Sequence, residues 1–159
     1  MPDAYGNLLS QDEFANGVCV RFHSYLDSEN LVLGLVLNGA FIHNLANGPL
    51  PDYTIFTCDQ TDGGFVLSLQ QAAFGGPRMN WYPSDSPEFL LVENNMQGYY
   101  DSQFVFTVDM VEGPWFALNN DDHSRVADVK QSNTAEGSDV IAFSWNGGAN
   151  QIWRAQIVS

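Results

Sequence analysis

The chain has 159 residues, 45% hydrophobic and 13% aromatic, which fills one domain with a sizeable core and leaves no room for a second, catalytic one. Five Lys and Arg against 19 Asp and Glu give a formal charge of −14, which opposes binding to nucleic-acid phosphates and anionic lipids and favours neutral or cationic partners. The aromatic content excludes a disordered acidic tail.

Taken in chain order, "MPDAYGNLLSQDEF" has neither the basic flank nor the apolar stretch of a secretory signal. A cytoplasmic protein is therefore expected, with secretion after processing left open. "NLLSQDEF" suits a turn of helix, and "VCVRFHSY" (18–25) is the first strand. The longest apolar run, "LVLGLVLNGAFI" (31–42), is too short to span a bilayer and is broken by glycine and asparagine, so no membrane insertion is expected. Two proline-containing loops follow, "NGPLPDY" (47–53) and "YPSDSPEF" (82–89). Around them lie further strands: "YTIFTCD", "GFVLSLQQ", "EFLLVE", "QFVFTVDM", "PWFALN" and "DVIAFSW", each bounded by Gly, Pro, Asn or Asp. No stretch holds helical periodicity for long, and the rhythm is that of an all-β barrel or sandwich.

The closing segment runs strand ("VIAFSW"), polar turn ("NGGAN") and a second strand with an early aromatic ("QIWRAQIV"). The same order recurs upstream with Phe65 and Phe104 in the place of Trp153, which divides the chain into approximate repeats 15–64, 65–103 and 104–159. Three units of four short strands close into a β-trefoil, and closure removes the bare sheet edges that a lysine-poor chain protects badly. The three aromatics then fill the barrel.

Residues 126–153 carry Asp128-Val129, a loop reaching Gly137, the alternating strand with Phe143 and Trp145, and Asn150-Gln151-Ile152-Trp153. This ordered set resembles one repeat of the ricin B-chain-like lectin family, of the cytosolic kind found in fungi. The resemblance implies a β-trefoil with shallow sugar sites. In it Asp128 accepts hydrogen bonds from sugar hydroxyls, Phe143 stacks on the sugar and Asn150 adds a polar contact. Gln151 braces the aspartate and Trp153 belongs to the core. The implied ligands are galactose- or N-acetylgalactosamine-type glycans, free or on glycoproteins.

The chemistry of the residues agrees, because a sugar presents C–H groups on one face and hydroxyls round its rim. Period two places Ile141, Phe143 and Trp145 on one side of the strand and Val140, Ala142 and Ser144 on the other. If the small residues pack inward, the large ones are free to bind. Ile141 stands where many members of the family have a polar residue. Counting back 15 residues from Phe56 reaches Phe41, with His43 and Asn44 nearby, and the second unit offers Asn80 and Trp81 but no aspartate. One site is expected, in the third repeat.

Structural roles compete at each position. Asp128 serves equally as a turn anchor, Phe143 and Trp145 as core, and Asn150 as a turn residue. Asp121, Asp122 and His123 read as a solvated loop, and His23, His43 and His123 lack metal-ligand spacing. Cys19 and Cys58 read as free buried thiols outside any nucleophile signature. No enzyme, cofactor or metal is expected. The alternatives are a protease inhibitor acting on a protein partner through an exposed loop, and an accessory subunit of a larger enzyme that has lost sugar binding.

Overall fold

The computed structural model describes residues 2–36, 39–48, 51–69, 77–81, 90–94 and 105–158, with the backbone alone at 36, 51–52, 77–81 and 90–94. Its strands are β1 (Cys19–Ser24), β2 (Leu31–Val36), β3 (Gly39–Asn44), β4 (Phe56–Thr61), β5 (Gly64–Leu69), β6 (Pro77–Trp81), β7 (Leu90–Asn94), β8 (Phe106–Glu112), β9 (Trp115–Asn120), β10 (Val126–Val129), β11 (Asp139–Phe143) and β12 (Trp153–Ile157). The expected helical turn near the start is a 3-10 turn at Gln11–Glu13. None of the described helices is long and apolar enough to cross a membrane.

Six strands close on one another. β1 pairs with β4, β4 with β5, β5 with β8, β8 with β9, β9 with β12, and β12 returns to β1. The other six form the hairpins β2–β3, β6–β7 and β10–β11, hung from β1, β5 and β9 in turn. A six-stranded barrel with three hairpins is a β-trefoil. Local sequence drives the tight connections: Asp62-Gly63 links β4 to β5, with Gly63 at φ 85° supplying the left-handed residue of a two-residue hairpin loop.

The threefold pattern is visible in the pairing. Val20 faces Phe56, Phe65 faces Phe106, and Phe116 faces Trp153. All six side chains are buried, the aromatic ones completely. The strand-start set equivalent to Trp153 is thus Phe56 and Phe106, whereas Phe65 belongs to the facing set, and Phe104 lies outside the described residues. Sequence order alone matches Phe65 with Trp153 because aromatic residues stand near the start of both strands in the Phe65–Phe106 and Phe116–Trp153 pairs. Grouping four strands at a time gives units 19–61, 64–112 and 115–157, so the second unit runs through β8 instead of ending at 103.

Phe14, carried on the turn after Gln11–Glu13, closes the aromatic core. Its ring stacks on Phe65 at 4.4 Å and meets Phe116 edge-on at 5.8 Å. Each such burial contributes roughly 1.5–3 kcal/mol. The run at 31–42 is the first hairpin, with Leu31, Leu33, Leu35, Ala40 and Ile42 directed into the core. No disulfide joins Cys19 to Cys58; Cys58 is buried, Cys19 only half-buried, and burial pushes the Cys58 thiol up.

Candidate functional site

The third hairpin builds a depression of about 360 Å³ lined by Asp128, Lys130, Gln131, Ile141, Phe143, Asn146 and Asn150. Its shape follows from pleating. Along β10, Ala127 and Val129 point into the core, so Asp128 points the other way. Along β11, Val140 and Ala142 join the core, leaving Ile141 opposite Asp128 and Phe143 opposite Val126. Of the small residues, Val140 and Ala142 pack inward, whereas Ser144, beyond the end of the strand, is exposed. Ile141 is nevertheless 5% exposed, a buried wall of the depression, while Phe143 is 40% exposed.

Asp128 is itself buried, and its carboxylate is held at both oxygens. Oδ1 accepts from Asn150 Nδ2 at 3.0 Å and Oδ2 from Gln151 Nε2 at 2.8 Å. Burial raises the pKa of this carboxyl above its ordinary range, against the lowering effect of the two amides. Asn150 gives its second amide hydrogen to the Val129 carbonyl at 3.0 Å. Gln151 also donates to the Ser144 carbonyl and accepts from the Asn146 backbone N–H. Trp153, fully buried, donates through Nε1 to the Ala127 carbonyl at 3.0 Å, tying β12 to β10.

Trp145 departs from expectation. It is 48% exposed and lies outside the residues lining the depression. The two bonds to Gln151 pull the chain out of the β11 line after Phe143, and the alternation that aligned Trp145 with Ile141 and Phe143 stops there. Asn146 takes that place instead. Its Oδ1 accepts from the Gly148 N–H at 2.8 Å, an Asn-centred turn whose sequence signal is "NGG". Lys130 and Gln131 also line the depression, and Gln131 holds φ 55° in the bend after Val129.

Gly148 makes this loop possible. A Cβ there would meet Asn150 Oδ1 at 2.7 Å and Asn146 Oδ1 at 3.0 Å, although its own φ of −73° suits any residue. Gly148→Ala is therefore expected to displace both amides and loosen the Asn150 hold on the Asp128 carboxylate, while changing the unfolding midpoint little. Side-chain amide NMR of Asn146 and Asn150 in the variant checks this, and unchanged resonances would show that the loop absorbs the added methyl group.

The threefold register identifies the corresponding positions elsewhere. Val126 faces Asn119, Val32 faces His23 and Arg78 faces Ser68, so Asp128 corresponds to Gly34 and Asn80, Ile141 to Phe41 and Leu91, and Phe143 to His43 and Glu93. Counting 15 residues back from Phe56 matches Asp128 with Phe41 instead, because Phe56 opens a barrel strand whereas Phe143 sits in a hairpin. At Gly34 a Cβ would lie 2.5 Å from the Phe41 ring. That ring covers the place an aspartate would need. His43 is buried there, bonded to Glu136 and to the Gly48 carbonyl, and Asn44 donates its backbone N–H to Glu136.

Other candidate residues are engaged locally. His123 bonds Asp109, Asp122 caps the Ser124 N–H, and Asp121 is exposed. Of the two proline-containing loops, 82–89 lies outside the described residues, and 51–54 of the other forms a single helical turn.

No protein-family model matches the sequence, and no curated protein matches it. Solved structures do resemble it. The designed threefold-symmetric protein ThreeFoil is 17% identical with a TM-score of 0.69, covering 88% of this chain and 99% of that one. The ricin B-like lectin of Macrolepiota procera, in complex with lactose, is 14% identical with a TM-score of 0.68 over 89% of this chain and 96% of that one. The exo-β-1,3-galactanase of Clostridium thermocellum is 16% identical with a TM-score of 0.66 over 89% of this chain, which spans 30% of the enzyme's length. What these proteins share with the chain is the β-trefoil fold.

Proposed function

We propose that this β-trefoil, alike in fold to a ricin B-like lectin, is a carbohydrate-binding protein that takes galactose- or N-acetylgalactosamine-type sugars at Asp128, Phe143 and Asn150. The observation that carries this reading is the Asp128 carboxylate, fixed by two side-chain amides at the wall of a depression flanked by a half-exposed aromatic ring.

The geometry divides the work among the three. An ionised carboxylate has about four acceptor directions, and the amides occupy two, leaving two for ligand hydroxyls. Both amide hydrogens of Asn150 are spent on Asp128 and Val129, so its contribution is the acceptor Oδ1. Phe143 offers an apolar face to the C–H side of a sugar ring. Lactose in the Macrolepiota procera complex supports the sugar class. Gly34 and the overlying Phe41 ring support a single site in the third unit over one in the first. A lone shallow site of this kind binds a monosaccharide near the millimolar range, about −4 kcal/mol, and useful avidity comes from several copies.

A glycan array on the purified protein, followed by titration calorimetry with the best monosaccharide, tests the reading. Asp128→Asn is expected to weaken binding about tenfold to a hundredfold, the worth of hydrogen bonds to a charged group. Binding by the wild type should also fade on acidification through the raised titration range of Asp128, since protonation converts an acceptor to a donor. Binding that survives Asp128→Asn moves the site elsewhere. An empty array with inhibition of a protease would replace sugar binding by the inhibitor reading.

A further inference from the structure

A second depression, of about 510 Å³, lies across the 146–150 loop from the first. Tyr25, Glu112, Trp115, Gly147 and Ala149 are among its walls. The loop serves both depressions: Asn146 and Asn150 face Asp128, while Gly147 and Ala149 line the other side. The two hollows therefore share one stretch of chain as their common wall.

Its aromatic surface is ordered in advance. The Tyr25 ring meets Trp115 edge-on with centroids 4.8 Å apart and an interplanar angle of 83°. Arg154 lies over the Trp115 ring, 5.8 Å from its centroid, and is itself held by Asn7 Oδ1 and the Ser28 carbonyl. Tyr25 remains 53% exposed. Trp145, the exposed aromatic that the first site does not use, lies with its indole 4.0 Å from the Cβ position of Gly147. Phe143 at the first hollow, Trp145 near Gly147 and Tyr25 at the second are all exposed rings.

We infer that the Tyr25–Trp115 hollow is a second saccharide subsite, so that the protein binds neutral oligosaccharides extending from a terminal sugar at Asp128. This rests on the proposed function of the Asp128 site and goes beyond it in naming the length and charge of the ligand. Rigid aromatic faces beside a carboxylate, Glu112, match the alternating C–H faces and hydroxyls of a sugar chain. The net charge of −14 selects against sialylated or sulfated chains. A sugar chain, unlike a purely apolar peptide, has use for both the amide-rich first hollow and the aromatic second one. The loop between them turns the small residues Gly147 and Ala149 towards the second hollow, so little bulk stands in the way of a chain crossing it.

The test uses methyl β-galactoside as the short probe and the neutral, galactose-terminated tetrasaccharide lacto-N-neotetraose as the long one, titrated against the wild type and Tyr25→Ala. Tyr25 is exposed, so its loss leaves the core intact. The tetrasaccharide is expected to bind the wild type about tenfold more tightly than the monosaccharide, an aromatic stacking contact being worth roughly three- to tenfold. Tyr25→Ala should cancel most of that gain and leave methyl β-galactoside binding unchanged. Equal affinity of wild type for both probes, a gain that persists in Tyr25→Ala, or equal weakening of both probes overturns the second subsite while the first stands. Failure of both probes to bind overturns the Asp128 site and the subsite with it.

Discussion

Trp153→Ala is expected to lower the unfolding free energy by about 3–5 kcal/mol, the cost of emptying a large aromatic site in a packed interior. Domains of this kind have about 5–15 kcal/mol in total, so the variant loses a large fraction of its stability. The side chain is fully buried and sits at the start of β12, opposite Phe116. The facing Phe116 cannot collapse into the space easily, because its ring is already held edge-on by Phe14 and Phe22. The informative companion is Trp153→Phe. Phe56 and Phe106 occupy the equivalent positions of the other units, so the barrel accepts phenylalanine there. That variant loses chiefly the Nε1 bond to Ala127, about 1 kcal/mol. Urea unfolding followed by circular dichroism measures both. A cost below about 1 kcal/mol for alanine would mean that Trp153 does not hold the barrel shut.

The second large effect is a loss of stability in mild acid that originates at His23. This side chain is 4% exposed, and its pKa is lowered to about 4, first by burial and then by the charges of Arg154 and Arg21. Unfolded, the imidazole titrates near 6.5. Above that pH it is neutral in both states and has no pH-linked effect. Between about 6.5 and 4 the unfolded chain takes up a proton that the folded chain refuses, so stability falls as pH falls. Below about 4 this contribution levels off. At 1.36 kcal/mol per unit the full loss is about 3 kcal/mol. Asp128 acts in the opposite sense, since its raised pKa favours the fold on protonation.

Comparison with His23→Asn separates the two. The register places Asn119 and Ser68 at the equivalent positions of the other units, so a neutral polar residue suits this site. Unfolding midpoints at pH 7.0, 5.5 and 4.5 should decline steeply in the wild type and much less in the variant. Parallel declines would assign the acid sensitivity to other groups.

The elements of the fold were legible where local chemistry is strong. The Asp62-Gly63 turn, the alternation of β11 and the Gln151–Trp153 pair each announce themselves within a few residues. The hairpin at 31–42 did not, because Leu31 to Leu35 carries apolar residues on both faces of the strand and so shows no alternation. Leu33 meets the core while Val32 is buried outside it. Trp145 escapes the alternation of β11 for a related reason. Alternation predicts a side only while the strand continues, and bonds from Gln151, several residues later, end it after Phe143.

By itself the sequence determined an acidic all-β chain with a trefoil rhythm, and it gathered Asp128, Phe143, Asn150, Gln151 and Trp153 into one stretch. These follow from composition, period and short-range turn chemistry, which act between neighbours along the chain. The tertiary structure alone decided that Phe56 and Phe106, not Phe65, match Trp153. It also decided that the Phe41 ring fills the space over Gly34 and that Tyr25, from the first unit, stands beside Trp115 of the third. The first and the last depend on strand register around a closed barrel, which makes neighbours of residues as distant in sequence as Tyr25 and Trp115; the second depends on the register of the β2–β3 hairpin, which an apolar run without alternation does not announce.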